Sequence, residues 1–346
     1  MKQTYTILIS ILLYSIVSSA QDHIEHPLGP PPSTVDYKGK LEVETIYLMP
    51  ANPEKGFYWP YYLGTPKTIK ENIALYVEPN NDGRRGEPFE THAYWASIIC
   101  EHALYRFANE LETFALVPVF PRPKLEDGNN LYTHALTRAV VENMTDSLKR
   151  IDLQLIAMIE DAQCKIRRNN YEIRDKFMLW GFSGSGDFVT RMAMIHPEKI
   201  QCMVAGGLGG FPILPMSSLE GVSLNYPVGI SDFEKLFNKK FNANAFKLIP
   251  MKLFQGDIDE NDSVSEGDEL SNENDFISDS YSYAQCRFIN QSFGHVPVNR
   301  VAKVSGLYSQ FGMQNFNYVI VPNVDHKITP IQDEALDFFI KNCTEK

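Results

Sequence analysis

One stretch limits what this chain can fold into more than any other. It runs Phe177-Met178-Leu179-Trp180-Gly181-Phe182-Ser183-Gly184-Ser185-Gly186 and continues through Asp187 to Pro197. An apolar run of strand type turns through small residues directly into a helical pattern that stops at the proline. Such a turn forces its central residue into strained backbone, so the residues two positions away on either side must lack bulk. Gly181 and Ser185 meet that demand around Ser183. The turn exposes the Ser183 hydroxyl above the sheet edge. It also sets the Gly184 N–H at a helix N-terminus, where developing negative charge is stabilised. A Gly/Ser turn without function has the same spelling in isolation; the strand before it and the helix after it supply the context the motif needs.

The rest of the chain alternates in the same manner. Strands are expected at Leu41 to Met49, Asn72 to Val77, Phe114 to Phe120, Ile200 to Ala205, Met251 to Gln255 and Tyr318 to Pro322. Helical spacing covers His92 to Leu111 and Asp146 to Arg168, the latter with Thr145 or Asp146 as cap. It returns at Tyr283 to Phe311, broken at Gly294-His295-Val296-Pro297, and at Pro330 to Lys341. The aromatic run Phe57 to Leu63 reads as an edge strand, because Pro60 cannot donate to a central ladder. Strands alternating with helices imply an α/β fold, a mostly parallel central sheet covered on both faces. Phe211 to Phe246 breaks the alternation and is expected to be a small insertion or cap.

Residues 1–20 carry one charge, Lys2, then an apolar run from Tyr5 to Val17 and a small-residue cleavage site, Ser18-Ser19-Ala20. This is the pattern of a signal peptide, too short to span a membrane comfortably, and it implies a secreted or periplasmic protein with no stable membrane insertion after its removal. Residues 21–40, with Pro30-Pro31-Pro32, read as a flexible lead-in, and 41–346 as the folded domain. A net charge of -11 argues against nucleic acid or an anionic membrane as partner. Five cysteines show no metal-ligand spacing; Cys202, in an apolar run, reads as a small buried residue. Asn143, Asn261, Asn290 and Asn342 each begin an N-x-S/T sequon.

Two further loops leave the carboxyl ends of expected strands, the edge at which open α/β sheets bind ligands. One offers Asp257 or Asp259 and the other His326, so Ser, Asp and His follow one another along the chain. A serine hydroxyl needs a base within reach; His326 would take its proton, and the acid would hold the imidazole tautomer and stabilise its cation. His134 and His295 are rivals to His326 for the base; His134 follows the strand ending at Phe120 and is a candidate pocket residue, while His295 in a helix break is more readily structural. Asp187 favours the helix dipole. Asp257, Asp259 and Asn261 have calcium-loop spacing, but Asp262 stands where that loop needs glycine, so a solvated surface loop is the simpler reading.

From Leu41 onward the chain resembles the α/β-hydrolase superfamily. More narrowly, it is similar to secreted or periplasmic esterases related to polyhydroxybutyrate depolymerases. The resemblance rests on Val77-Glu78-Pro79-Asn80-Asn81, Val117 to Pro123, Tyr132-Thr133-His134-Ala135-Leu136, the serine elbow, Gly256-x-x-Asp259 and Asp325-His326. It implies an α/β-hydrolase fold and an ester hydrolase acting through an acyl-enzyme on a small or polymeric ester, with no metal or organic cofactor. The acid of such hydrolases falls three residues after the strand-end glycine, which favours Asp259 over Asp257. The chain departs from the pattern where a His-Gly oxyanion loop is usual and has Glu78-Pro79-Asn80-Asn81 instead. The backbone N–H of Asn80 or Asn81 is then the candidate second donor beside Gly184. A peptidase of prolyl-oligopeptidase type and a non-catalytic binding protein on the same fold are the alternatives.

Overall fold

A computed structural model describes residues 31–343 except 82–85, 87, 124–130, 144 and 146. The expected signal peptide, residues 21–30 of the lead-in, Asp82-Gly83 and Asp146 lie outside the described residues. Within them one sheet is built from β1 (Thr34–Asp36), β2 (Thr45–Met49), β3 (Tyr61–Thr65), β4 (Ile73–Val77), β5 (Ala115–Pro118), β6 (Ile173–Phe182) and β7 (Ile200–Gly206). A hairpin of β8 (Ser218–Leu219) and β9 (Val222–Ser223) stands apart, and β10 (Met251–Gly256) and β11 (Phe316–Val321) complete the sheet. The order is β1-β2-β3-β5-β4-β6-β7-β10-β11. Only the β2–β3 and β3–β5 pairs are antiparallel.

Burial explains why these segments are strands. All five residues of β4 are buried, as are the last six of β6, which is the continuous burial expected of strands covered on both faces. Along β6, Phe177 and Leu179 point into one apolar cluster, whereas Met178, Trp180 and Phe182 point into the other. The second cluster lies under α1 (Phe89–Ala103), which continues through a π turn, Leu104–Ala108, to Leu111. The first lies under α3 (Ile151–Arg168) and α4 (Gly184–Ile195), with α2 (Arg138–Glu142) a short helix before them.

Residues 211–246, expected as an insertion or cap, hold the hairpin together with α5 (Phe233–Phe237) and α6 (Ala243–Lys247). Phe211, Ile213, Tyr226, Phe233 and Phe246 are buried in the first cluster, so the segment is an integral layer of the core. Helices α7 (Tyr283–Phe293), α8 (Pro297–Phe311) and α9 (Thr329–Cys343) follow; α9 packs beside α1 in the second cluster.

Three sequence expectations need correction. The strand after Pro60 is interior, with β2 on one side and β5 on the other. Pro60 stands one position before the ladder and accepts from Val119 N–H at 3.0 Å, so its missing donor costs nothing there. Part of the expected flexible lead-in, Thr34–Asp36, adds a parallel strand to β2. Helix α3 begins at Ile151 rather than at residue 146, because Arg150 takes a left-handed conformation (φ 48°). The Arg150 guanidinium forks onto the buried Asp152 carboxylate at 2.8 and 2.7 Å, and that carboxylate also meets His196 at 2.9 Å. Cys202 is buried, as expected, and it is also bridged to Cys343, joining β7 to the end of α9 across 141 residues.

Candidate active site

Three parallel strands end at one edge of the sheet, and their C-terminal loops carry the candidate residues. At the end of β6, Ser183 has φ 57° and ψ −128°, a strained conformation for a residue with a side chain. The local sequence permits it. A Cβ on Gly181 would overlap the Ser185 carbonyl, so the tight turn requires glycine there. Ser185 Oγ donates to Phe182 O at 2.9 Å and accepts from Phe182 N at 3.0 Å, which pins the turn from the far side. Helix α4 starts at Gly184, and the Ser183 side chain makes no capping bond, which leaves its hydroxyl out of the helix terminus.

Beyond β10, Asp259 is 2 % exposed. Its Oδ2 accepts from Gln255 Nε2 at 3.0 Å and its Oδ1 from the Asn261 backbone N–H at 3.0 Å. His326, beyond β11, places Nδ1 at 2.9 and 3.1 Å from the two carboxylate oxygens. A carboxylate only accepts, so Nδ1 carries a proton, and in the neutral ring Nε2 then presents a lone pair. The His326 ring lies 4.9 Å from that of Phe182, the residue before Ser183. Asp257, the alternative acid, accepts from Val324 N at 3.3 Å and so caps the neighbouring loop.

The loop after β7 closes the group. A Cβ on Gly209 would sit 3.6 Å from Ser183 Oγ and 3.4 Å from Gly184 N, so this backbone runs directly beside the serine. Ser263 N donates to Gly209 O at 2.6 Å, and Arg300 meets Asp262 at 2.6 Å. The acid loop is thereby fastened to the loop that borders Ser183.

At the end of β4 the last ladder bond runs from Glu78 N to Leu116 O at 3.0 Å. Asn80, fully buried, clamps Phe120 through both its amide atoms at 2.9 and 3.1 Å. Asn81 donates through Nδ2 to Phe182 O at 3.3 Å, which sets it next to the elbow. His134, the candidate pocket residue, is 1 % exposed and bonds Phe120 O at 2.8 Å and Asn80 Nδ2 at 3.1 Å. It thus braces the strand end that holds Asn80. His295 is exposed and pairs with Glu266 at 3.3 Å. Asp187 is buried beside Arg191 and Arg300; burial outweighs both cations and, with Asp262 adding to it, pushes the carboxyl up to about 7.

Sequence reasoning missed three residues of the surroundings of Ser183 and His326. Tyr132 packs on Gly184, where a Cβ would come within 2.8 Å of Tyr132 Cζ. Arg122 stacks over that ring at 3.4 Å while pairing with Asp279 at 3.0 Å. Asn261 reaches His326 Nε2 at 3.1 Å through its side chain. Proximity to Asp259 in sequence was a usable signal for Asn261; Tyr132 had none beyond its place in the resembling segment. Among the described residues no group of three or more His, Cys, Asp or Glu side chains is arranged to hold a metal, and no helix is long and apolar enough to cross a membrane.

The sheet order, the strained serine elbow and the loops that follow β10 and β11 define the α/β-hydrolase fold, and this chain has it. No protein-family model and no curated protein matches the chain. Among solved structures it is similar to poly(aspartic acid) hydrolase-1 from Sphingomonas sp. KT-1, with a TM-score of 0.55 and 15% identity over 86% of this chain and 98% of that one. It is also similar to the poly(3-hydroxybutyrate) depolymerase of Bordetella parapertussis, with a TM-score of 0.50 and 12% identity over 87% of this chain and 89% of that one.

Proposed function

We propose that this protein is a secreted serine hydrolase, and specifically a carboxylic-ester hydrolase working through an acyl-enzyme. The observation that carries the reading is the His326–Asp259 pair at 2.9 Å, on loops at the same sheet edge as the strained Ser183. His326 Nε2 takes the Ser183 proton as Oγ attacks the ester carbonyl, and Asp259 stabilises the imidazolium that forms. The oxyanion is received by the Gly184 N–H and by a backbone N–H of Asn80 or Asn81. The imidazolium then protonates the leaving alcohol, and water, activated by the same base, releases the acid. The apolar N-terminal run and the Cys202–Cys343 bridge both support an oxidising, extracytoplasmic location. The substrate is a small or polymeric ester; poly(3-hydroxybutyrate), which names one neighbour, belongs in the first panel, with poly(aspartic acid), the polyamide that names the other, as the amide comparison.

Labelling with a fluorophosphonate probe, followed by peptide mapping, tests the mechanism. An adduct on Ser183 that is lost in Ser183→Ala and His326→Ala is expected. Folded protein that binds esters yet never reacts with the probe would instead be a binding protein on a hydrolase fold.

A further inference from the structure

Asn261 stands two residues beyond Asp259 and touches both members of the acid–base pair. Its backbone N–H donates to Asp259 Oδ1 at 3.0 Å, and its side-chain Nδ2 lies 3.1 Å from His326 Nε2. With Asp259 holding a proton on Nδ1, the neutral ring offers one in-plane lone pair at Nε2, into which the carboxamide donates. That lone pair is the same one the Ser183 hydroxyl must reach before it can be deprotonated.

We infer that Asn261 is an inhibitory latch on the proposed hydrolase, one that occupies the base in the resting enzyme and yields it to Ser183 in turnover. The inference rests on the serine-hydrolase reading for its catalytic part. The bond itself is independent of that reading.

The chemistry of an amide suits the role. While Nε2 is unprotonated, the Nδ2 donor is the matching partner. Once Nε2 has taken the Ser183 proton it becomes a donor, and rotation of the carboxamide presents Oδ1 as acceptor. Asn261 is exposed, so this rotation meets no packed core. The proton balance is closed: it passes from Ser183 Oγ to Nε2 and from Nε2 to the leaving oxygen, and Asn261 neither gains nor loses one. A carboxylate in its place would serve only the protonated ring. Among the charged groups near His326, Asp259 faces Nδ1, and Asp325 and Lys327 on its own loop pair with each other at 3.1 Å. The Phe182 ring from β6 lies against the imidazole, tilted at 44°.

Asn261→Ala removes the latch and keeps the backbone N–H on Asp259. In the full chain, fluorophosphonate labelling of Ser183 and kcat/KM should rise roughly three- to tenfold, the scale of one partly exposed hydrogen bond. Asn261→Asp should slow labelling at neutral pH and move the acid limb of the kcat/KM profile to higher pH, a change that a purely structural role would not produce. Labelling of Asn261→Ala equal to or slower than wild type, with an unchanged melting temperature, overturns the proposal. Nitrogen-15 NMR of the histidine rings separates the two failures. If wild type labels but its His326 Nε2 resonance is unmoved by Asn261→Ala, the latch does not exist. If that resonance moves while wild type never labels, the bond stands, and its restraint on turnover falls with the hydrolase reading.

Discussion

Gly256 and Val324 approach so closely that a Cβ on Gly256 would overlap the Val324 carbonyl, 2.8 Å from its carbon. Gly256 ends the strand that leads to Asp259, and Val324 lies two residues before His326. The close approach of the two loops is what sets Asp259 within 2.9 Å of the imidazole. Gly256→Ala is therefore expected to push the loops apart. A displacement of about 1 Å costs on the order of a hundredfold in turnover, and the overpacking costs about 1–3 kcal/mol of stability. Ester hydrolysis and thermal unfolding of the variant measure both; wild-type turnover would show that the loops are held by other contacts.

Ser183 sits at φ 57° and ψ −128°, and that geometry stores strain of about 1–3 kcal/mol. Glycine adopts the same conformation freely, at a chain-entropy cost of about 0.5–1 kcal/mol. Ser183→Gly should therefore be more stable than wild type by about 0.5–2 kcal/mol, whereas Ser183→Ala keeps the strained backbone and gains nothing. Both should lose turnover by at least about a thousandfold. Denaturant unfolding of the three proteins gives the comparison, and a Ser183→Gly variant no more stable than Ser183→Ala would mean the elbow is unstrained.

How much of this was legible in the sequence follows the range of the interactions involved. The elbow is a local object: strand, small residues and helix are contiguous, and its spelling reflects collisions among residues 181 to 185. The parallel core strands announced themselves through unbroken apolar runs. What failed depended on partners distant in the chain. Nothing near Pro60 says that β2 and β5 enclose the next strand. The start of α3 was set by a buried Arg150–Asp152–His196 cluster whose third member is 44 residues away. Asp257 and Asp259 share one loop, and only the position of Val324 and His326 separates a capping acid from one facing the imidazole.

The disulfide is the longest-range case. Cys202 and Cys343, both fully buried, have Cα atoms 6.3 Å apart, within the range such a bridge spans. Closing so long a loop restricts the unfolded chain, and Cys343→Ser should cost about 3–5 kcal/mol. Mass spectrometry under non-reducing conditions should find the 202–343 peptide pair. Chemical unfolding with and without reductant should then differ for wild type and coincide for Cys343→Ser. Free thiols at both positions in folded protein would refute the pairing.

Glu78, at the turn that leads to Asn80 and Asn81, makes stability depend on pH in the direction opposite to an ordinary salt-bridged acid. Its carboxyl is buried and accepts from the Tyr76 hydroxyl at 2.9 Å; burial pushes it up to about 8. In the unfolded chain the same group titrates near 4.3. Between those values the native state holds a proton that the unfolded state has released, so stability falls as pH rises from about 4 to about 8 and levels off above. Glu78→Gln mimics the protonated form and has no proton to lose. It should match wild type near pH 5 and exceed it progressively toward pH 9, by about 2–4 kcal/mol at the upper end. Unfolding free energies at four or five pH values decide the matter. A constant difference between the two proteins across that range would mean that Glu78 is ionised in the native state throughout.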